Sequence, residues 1–102
     1  MSLIKKYLKS KPVCKVTFKL PKDIVNGAKK VSLAGEFNDW KIDEIKLSKK
    51  KDGSFSRIVD LPVGNAFQYR YLVDGKEWKN DSDADDYISN GIDAQENCVV
   101  IV

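Results

Sequence analysis

Residues 67–78 read FQYRYLVDGKEW, and the fold turns on how this stretch is read. Phe67, Tyr69, Tyr71 and Val73 alternate with Gln68, Arg70 and Leu72, the period-2 pattern of a strand with one face against a core. Asp74-Gly75 follows at once, and that dipeptide is a strong hairpin signal. A strand of this kind needs others beside it.

Outward from there the chain supplies them. VCKVTFKL, Val13–Leu20, puts Cys14, Val16, Phe18 and Leu20 on one side and Lys15, Thr17 and Lys19 on the other, between Pro12 and Pro21. PKDIVNGAKK reads as a loop with Asn26-Gly27 as its turn. Residues 31–34 form a short strand and 42–47 another. Asp52-Gly53 turns the chain into a strand over 54–61, where Arg57 interrupts the alternation and Pro62 and Gly64 end the run. A short apolar strand over 99–102 closes the chain. No helix is expected. About six or seven short strands at roughly 8–12-residue spacing predict an all-β protein, an antiparallel β-sandwich of immunoglobulin-like type. The Cys...Trp...Cys spacing of true immunoglobulin domains is missing.

At 102 residues and 42% hydrophobic, the chain is long enough for one domain with its own core and too short for two. The division expected is a basic N-terminal extension, 1–11, and a sandwich domain, 12–102. The net charge is +3, with lysines spread along the chain. The clusters at 49–51 and in MSLIKKYLKSK read as solvated faces or tails, not as a nucleic-acid footprint. No apolar run has signal-peptide length, and none approaches the ~18 residues of a membrane span, so a cytoplasmic location and no membrane partner are expected. Cys14 and Cys98 then read as reduced thiols behaving as small hydrophobes. The chain has no histidine, so it lacks the commonest general base and the commonest zinc ligand.

Three local patterns bear on chemistry. NDSDADD, 80–86, has acidic residues at positions 1, 3 and 5 of a calcium loop counted from Asp81, but Asp86 stands where that loop needs glycine and Ile92 where it needs a bidentate Glu. The mismatch favours a solvated acidic loop. Carboxylate pairing for glycoside hydrolysis needs two carboxyl groups fixed across a cleft, and a short sandwich offers little cleft wall. Neither catalysis nor any cofactor or metal is expected. The third pattern is the pair of tryptophans, each closing a polar, turn-rich stretch: GEFNDW at 35–40 and DGKEW at 74–78. An indole face can stack on the C–H face of a sugar ring while Arg, Asn or Lys bonds the hydroxyl fringe. Equally, each tryptophan can plug an end of the sandwich.

The ordered series Gly35-Glu36-Phe37-Asn38-Asp39-Trp40, Asp52-Gly53-Ser54-Phe55, Asp60-Leu61-Pro62-Val63-Gly64, Gln68-Tyr69-Arg70-Tyr71-Leu72-Val73-Asp74-Gly75 and Asn97-Cys98-Val99-Val100 resembles the family-48 carbohydrate-binding modules. These include the glycogen-binding domain of the AMP-activated protein kinase β subunit and the N-terminal domains of isoamylases and branching enzymes. The likeness covers about residues 13 to 102. It implies an early-set β-sandwich that binds α-1,4-glucan without hydrolysing it, as glycogen, starch or malto-oligosaccharide. The family's site, carried over residue by residue, falls on Trp40 and Trp78 as stacking platforms, Arg70 and Asn97 as hydrogen-bonding groups, and Ile92 as an apolar loop tip. In the GIDAQEN loop Asp93 stands where glycine is common, and Ser82 replaces a common proline. A glycogen-metabolising enzyme is the partner implied; a protein-interaction or adaptor domain on the same sandwich is the alternative. Single-stranded nucleic acid is disfavoured by the acidic run after Trp78.

That site sets a geometric condition on the hairpin. A two-residue loop pairs Val73 with Lys76 and puts Trp78 opposite Tyr71, on the core side. A three-residue loop, 74–76, puts Trp78 opposite Leu72, on the face that carries Arg70. A three-residue loop or a bulge at this hairpin is therefore expected.

Overall fold

The computed structural model describes residues 3–25, 27–81, 84–89 and 96–102. Ten strands run along them: β1 (Leu3–Tyr7), β2 (Val13–Leu20), β3 (Val31–Gly35), β4 (Ile45–Lys46), β5 (Ser48–Lys49), β6 (Phe55–Pro62), β7 (Ala66–Val73), β8 (Glu77–Lys79), β9 (Asp86–Ser89) and β10 (Glu96–Ile101). They form two antiparallel sheets, one ordered β1-β2-β6-β5 and the other β4-β3-β7-β10-β9 with β8 also on β7. The architecture is the all-β sandwich expected from the strand pattern.

The two clearest strands face each other across the core. Cys14, Val16, Phe18 and Leu20 of β2 are buried, as are Tyr69, Tyr71 and Val73 of β7. The Phe18 ring meets Tyr69 edge-on at 5.1 Å between centroids, a favoured aromatic arrangement. Arg57 lies on the inner face of β6, opposite Phe18, yet it is exposed and its Nη1 donates to the Lys46 carbonyl at 3.1 Å. β5 pairs with β6 only at Phe55 and Ser56, so Arg57 lies where that side of β6 is open, which explains how a charge fits where the alternation calls for an apolar residue.

Several elements differ from the sequence reading. The stretch 1–11 carries β1, paired with β2 from Leu3↔Phe18 to Tyr7↔Cys14. Only Leu3 of that strand is buried, so it shows little alternation. In the segment read as a loop, one helical turn, α1 (Lys22–Val25), forms because the Pro21 carbonyl accepts from the amides of Ile24 and Val25. Its Val25, with Ala28 beyond it, enters the core. The single strand expected over 42–47 is instead split: β4 lies in one sheet and β5 in the other. Leu47 is the pivot, buried between the sheets with its amide donating to the Val31 carbonyl at 2.9 Å. β9, with all four of its residues exposed, has no counterpart among the strands expected from the sequence.

The acidic run also departs from a solvated loop. Asp81 is 1% exposed. One of its carboxyl oxygens accepts from the hydroxyls of Tyr69, at 3.1 Å, and Tyr71, at 3.3 Å. Its amide donates to Cys98 Sγ at 3.0 Å, and its carbonyl accepts from the Tyr87 hydroxyl. The reason is packing: three tyrosines reach this point with polar ends that need partners in the interior. Burial, with Asp81 close by, drives the pKa of both Tyr69 and Tyr71 upward, and burial pushes the Cys98 thiol up to about 11.

Candidate functional site

The outer face of the larger sheet carries Arg70, Trp78 and Asn97. Inner and outer residues alternate along β7, so Gln68, Arg70 and Leu72 point away from the core that holds Tyr69 and Tyr71. β3 pairs with β7 along one edge, from Val31↔Val73 to Gly35↔Tyr69. β8 and β10 share the other edge end to end: β8 against residues 71–73 and β10 against 66–69.

The hairpin between β7 and β8 meets the condition set by the sequence. Val73 pairs with Glu77 and Leu72 with Trp78, leaving Asp74, Gly75 and Lys76 as the loop. Asp74 and Gly75 both have positive φ, 53° and 69°, the pair of signs a type I′ turn requires. The Asp74 carboxyl accepts from the amides of Lys30, at 3.0 Å, and Lys29, at 2.8 Å. Those bonds hold its pKa below the usual carboxylate value. They also tie the turn to the chain entering β3.

Trp78 is therefore on the outer face, and it is 41% exposed. The Arg70 guanidinium carbon lies 5.9 Å from the centroid of its ring, within reach of a cation–π contact. Arg70 is only 9% exposed, and its Nε donates to Asn80 Oδ1 at 2.8 Å. Asn80 Nδ2 donates in turn to the Glu96 carbonyl at 2.9 Å, so one amide side chain joins the end of β8 to the start of β10. Asn97 is half-buried, and its Nδ2 donates to Gln68 Oε1 at 3.1 Å. That contact fixes Asn97 on the same face as Arg70.

Trp40 reaches this face by a loop. Ser32 is opposite Leu72 and so points outward; its hydroxyl donates to Asp43 Oδ1 at 3.3 Å. The chain around 39–44 therefore folds across the outer side of β3. Trp40 is 36% exposed. Its amide donates to the Gly35 carbonyl at 2.9 Å, and Gly35 follows Ala34, the residue across from Arg70. Asp39 and Trp40 both sit in the left-handed region, φ 57° and 58°, where a residue with a Cβ is strained. Asn38 holds the strained turn. Its Oδ1 accepts from the Gly35 amide at 3.0 Å and its Nδ2 donates to the Lys41 carbonyl at 3.1 Å. Gly35 itself is required by close approach, since a Cβ there would lie 2.6 Å from the Gln68 carbonyl oxygen and 2.9 Å from the Phe37 ring.

The structure thus brings Arg70, Trp78 and Asn97 to one face, with Trp40 on the loop that crosses it. Ile92 lies outside the described residues. Two participants were missed. Gln68 and Asn80 share the parity of Arg70 and Trp78, two residues away in each case, and that spacing was the signal available in the sequence.

An antiparallel two-sheet sandwich with a part-exposed indole, a guanidinium and amide side chains gathered on one face, and a second part-exposed indole on an adjoining loop, has the make-up of a carbohydrate-recognition module. The family model described as the glycogen recognition site of AMP-activated protein kinase matches residues 9–102, and the chain belongs to that family. It is 42% identical over 55 residues to the 5'-AMP-activated protein kinase subunit beta-1 of Sus scrofa, covering 54% of this chain and 41% of the relative. Against the Rattus norvegicus subunit the identity is 40% over 55 residues, 54% of this chain and 18% of that protein. A third relative is the Cruciform DNA-recognizing protein 1 of Saccharomyces cerevisiae strain RM11-1a, 33% identical over 70 residues, 66% of this chain and 15% of that protein. The matched region spans less than half the length of each of these relatives.

Proposed function

We propose that the chain binds α-1,4-linked glucan non-catalytically, as glycogen, starch or malto-oligosaccharide, with Trp40 and Trp78 as the stacking platform. The observation that carries this reading is Trp78, half-exposed above Arg70 on a face also lined by Asn97. A pyranose ring laid on the indole brings its equatorial hydroxyls toward the guanidinium and the amide. Prior ordering supports the same reading. Arg70 is held by Asn80, and Asn97 by Gln68, before any sugar arrives, so little side-chain freedom is lost on binding.

The partner this reading implies is a glycogen-metabolising enzyme that the module brings to its polymer. Two buried thiols, Cys14 and Cys98, unpaired with each other, are in keeping with a reducing cytoplasm.

The test combines titration and unfolding. Wild type is titrated with maltoheptaose while tryptophan fluorescence is followed, and co-sedimented with glycogen against a cellulose control. Trp40→Ala and Trp78→Ala should each abolish most of the affinity while keeping a cooperative thermal transition, whereas loss of a core tryptophan destabilises by about 3–5 kcal/mol. A wild-type protein with no saturable response to the sugar refutes the reading. Binding that instead falls steeply with salt points to phosphate contacts, and so to a nucleic-acid ligand.

A further inference from the structure

The described outer face does not end at Asn97. Asn97 pairs with Ile88 of β9, as Cys98 does with Tyr87. Directly opposed residues in an antiparallel pair share a face, with Cβ atoms about 4.5–5.5 Å apart. Asn97 is outward, since its amide bonds Gln68. Tyr87 is inward, since its hydroxyl bonds the carbonyl of the buried Asp81. Ile88 therefore stands on the sugar-facing side, beside Asn97, and it is 44% exposed.

Resting on the proposed glucan reading, we propose that Ile88 is a further binding residue, an apolar contact that extends the platform beyond Asn97 and selects for longer chains. Arg70, Asn97 and Ile88 stand on three successive strands, β7, β10 and β9. Strands are spaced about 4.8 Å apart, so the row reaches about 10 Å from β7 to β9, and a ring stacked at the Arg70 end reaches β9 only through further rings of the same chain. A short sugar stacked on Trp78 above Arg70 stops before β9. A longer one running toward Asn97 places a further ring on Ile88, whose branched side chain offers C–H groups to an apolar sugar face. Ladder pairing with β10 fixes the position of this residue, so the contact is built into the sheet.

The inference is tested by titrating wild type and Ile88→Ala with maltose and with maltoheptaose. Ile88→Ala should weaken maltoheptaose binding about three- to tenfold, the range expected for a few methylene groups partly covered by the ligand, and leave maltose binding unchanged. Ile88→Thr keeps the β-branch that suits a strand and should show the same length-dependent loss, which separates a contact from a loosened edge. Equal affinity of variant and wild type for maltoheptaose overturns the inference while leaving the glucan reading standing. An equal loss for both sugars overturns it as well, because a disturbed platform affects both lengths alike. A wild-type protein that binds neither sugar overturns both readings.

Discussion

Replacing Asp81 with alanine should destabilise the domain more than its place in an acidic run suggests. The substitution removes the acceptor shared by the Tyr69 hydroxyl at 3.1 Å and the Tyr71 hydroxyl at 3.3 Å, and both tyrosines are fully buried. Each buried hydroxyl left without a partner costs about 1–3 kcal/mol, so the pair amounts to roughly 2–6 kcal/mol. Small domains are stable by only about 5–15 kcal/mol, and the variant is expected to be largely unfolded at modest urea. The assay is urea denaturation followed by circular dichroism, run on a cycle that adds Tyr69→Phe and Tyr71→Phe. If stranded hydroxyls are the cause, removing them from the Asp81→Ala background should restore more than half of the loss. In the wild-type background the same two changes should destabilise. A loss below about 1 kcal/mol, or phenylalanine changes that add to the damage, would refute the argument.

Stability should also fall steeply in alkali. Tyr69, Tyr71 and Cys98 have folded pKa values above their unfolded ones. Their stabilising contribution is therefore complete below about pH 9 and is lost as the unfolded chain sheds protons that the folded one keeps. Each group can contribute a slope of up to about 1.4 kcal/mol per pH unit, and Tyr71→Phe should flatten the profile measured by urea unfolding from pH 8 to 11. Gly35→Ala should destabilise by about 1–3 kcal/mol through overpacking against the Gln68 carbonyl and the Phe37 ring; an unchanged urea midpoint would show that the sheet gives way there.

The legible part of the fold was the part whose residue types alternate. In 13–20 that alternation records the burial directly; in 67–73 it records which residues face the core, although Arg70 and Leu72 on the other face are buried as well. Those segments form the two central strands, β2 and β7. Edge strands write no such record. All four residues of β9 are exposed, and β1 buries only Leu3, so neither shows a period that local reasoning can find. Asp81 was misjudged for a related reason. Its neighbours in sequence are acidic and polar, but its neighbours in space are Tyr69, Tyr71, Tyr87 and Cys98, brought from three different strands.

The same distinction runs through the site. The outward placement of Trp78 follows from counting residues round the Asp74-Gly75-Lys76 loop, because a hairpin fixes register locally. Asn80 follows from the same count. Ile88 does not, since its face is set only by pairing with Asn97 across residues distant in sequence. Two kinds of support hold the two indoles. Trp78 belongs to a strand whose next residues end in Asn80, bonded to Arg70, and Asp81, anchored in the core. The backbone around it is thus fixed on the turn side by Asp74 and on the far side by Asp81. Trp40 is not part of a strand and depends on the Asn38 bonds that hold the turn with residues 39 and 40 left-handed. Loss of a core contact such as Asp81 should therefore displace Trp78 first, while changes at Gly35 or Asn38 should displace Trp40 and leave the Trp78–Arg70 pair in place.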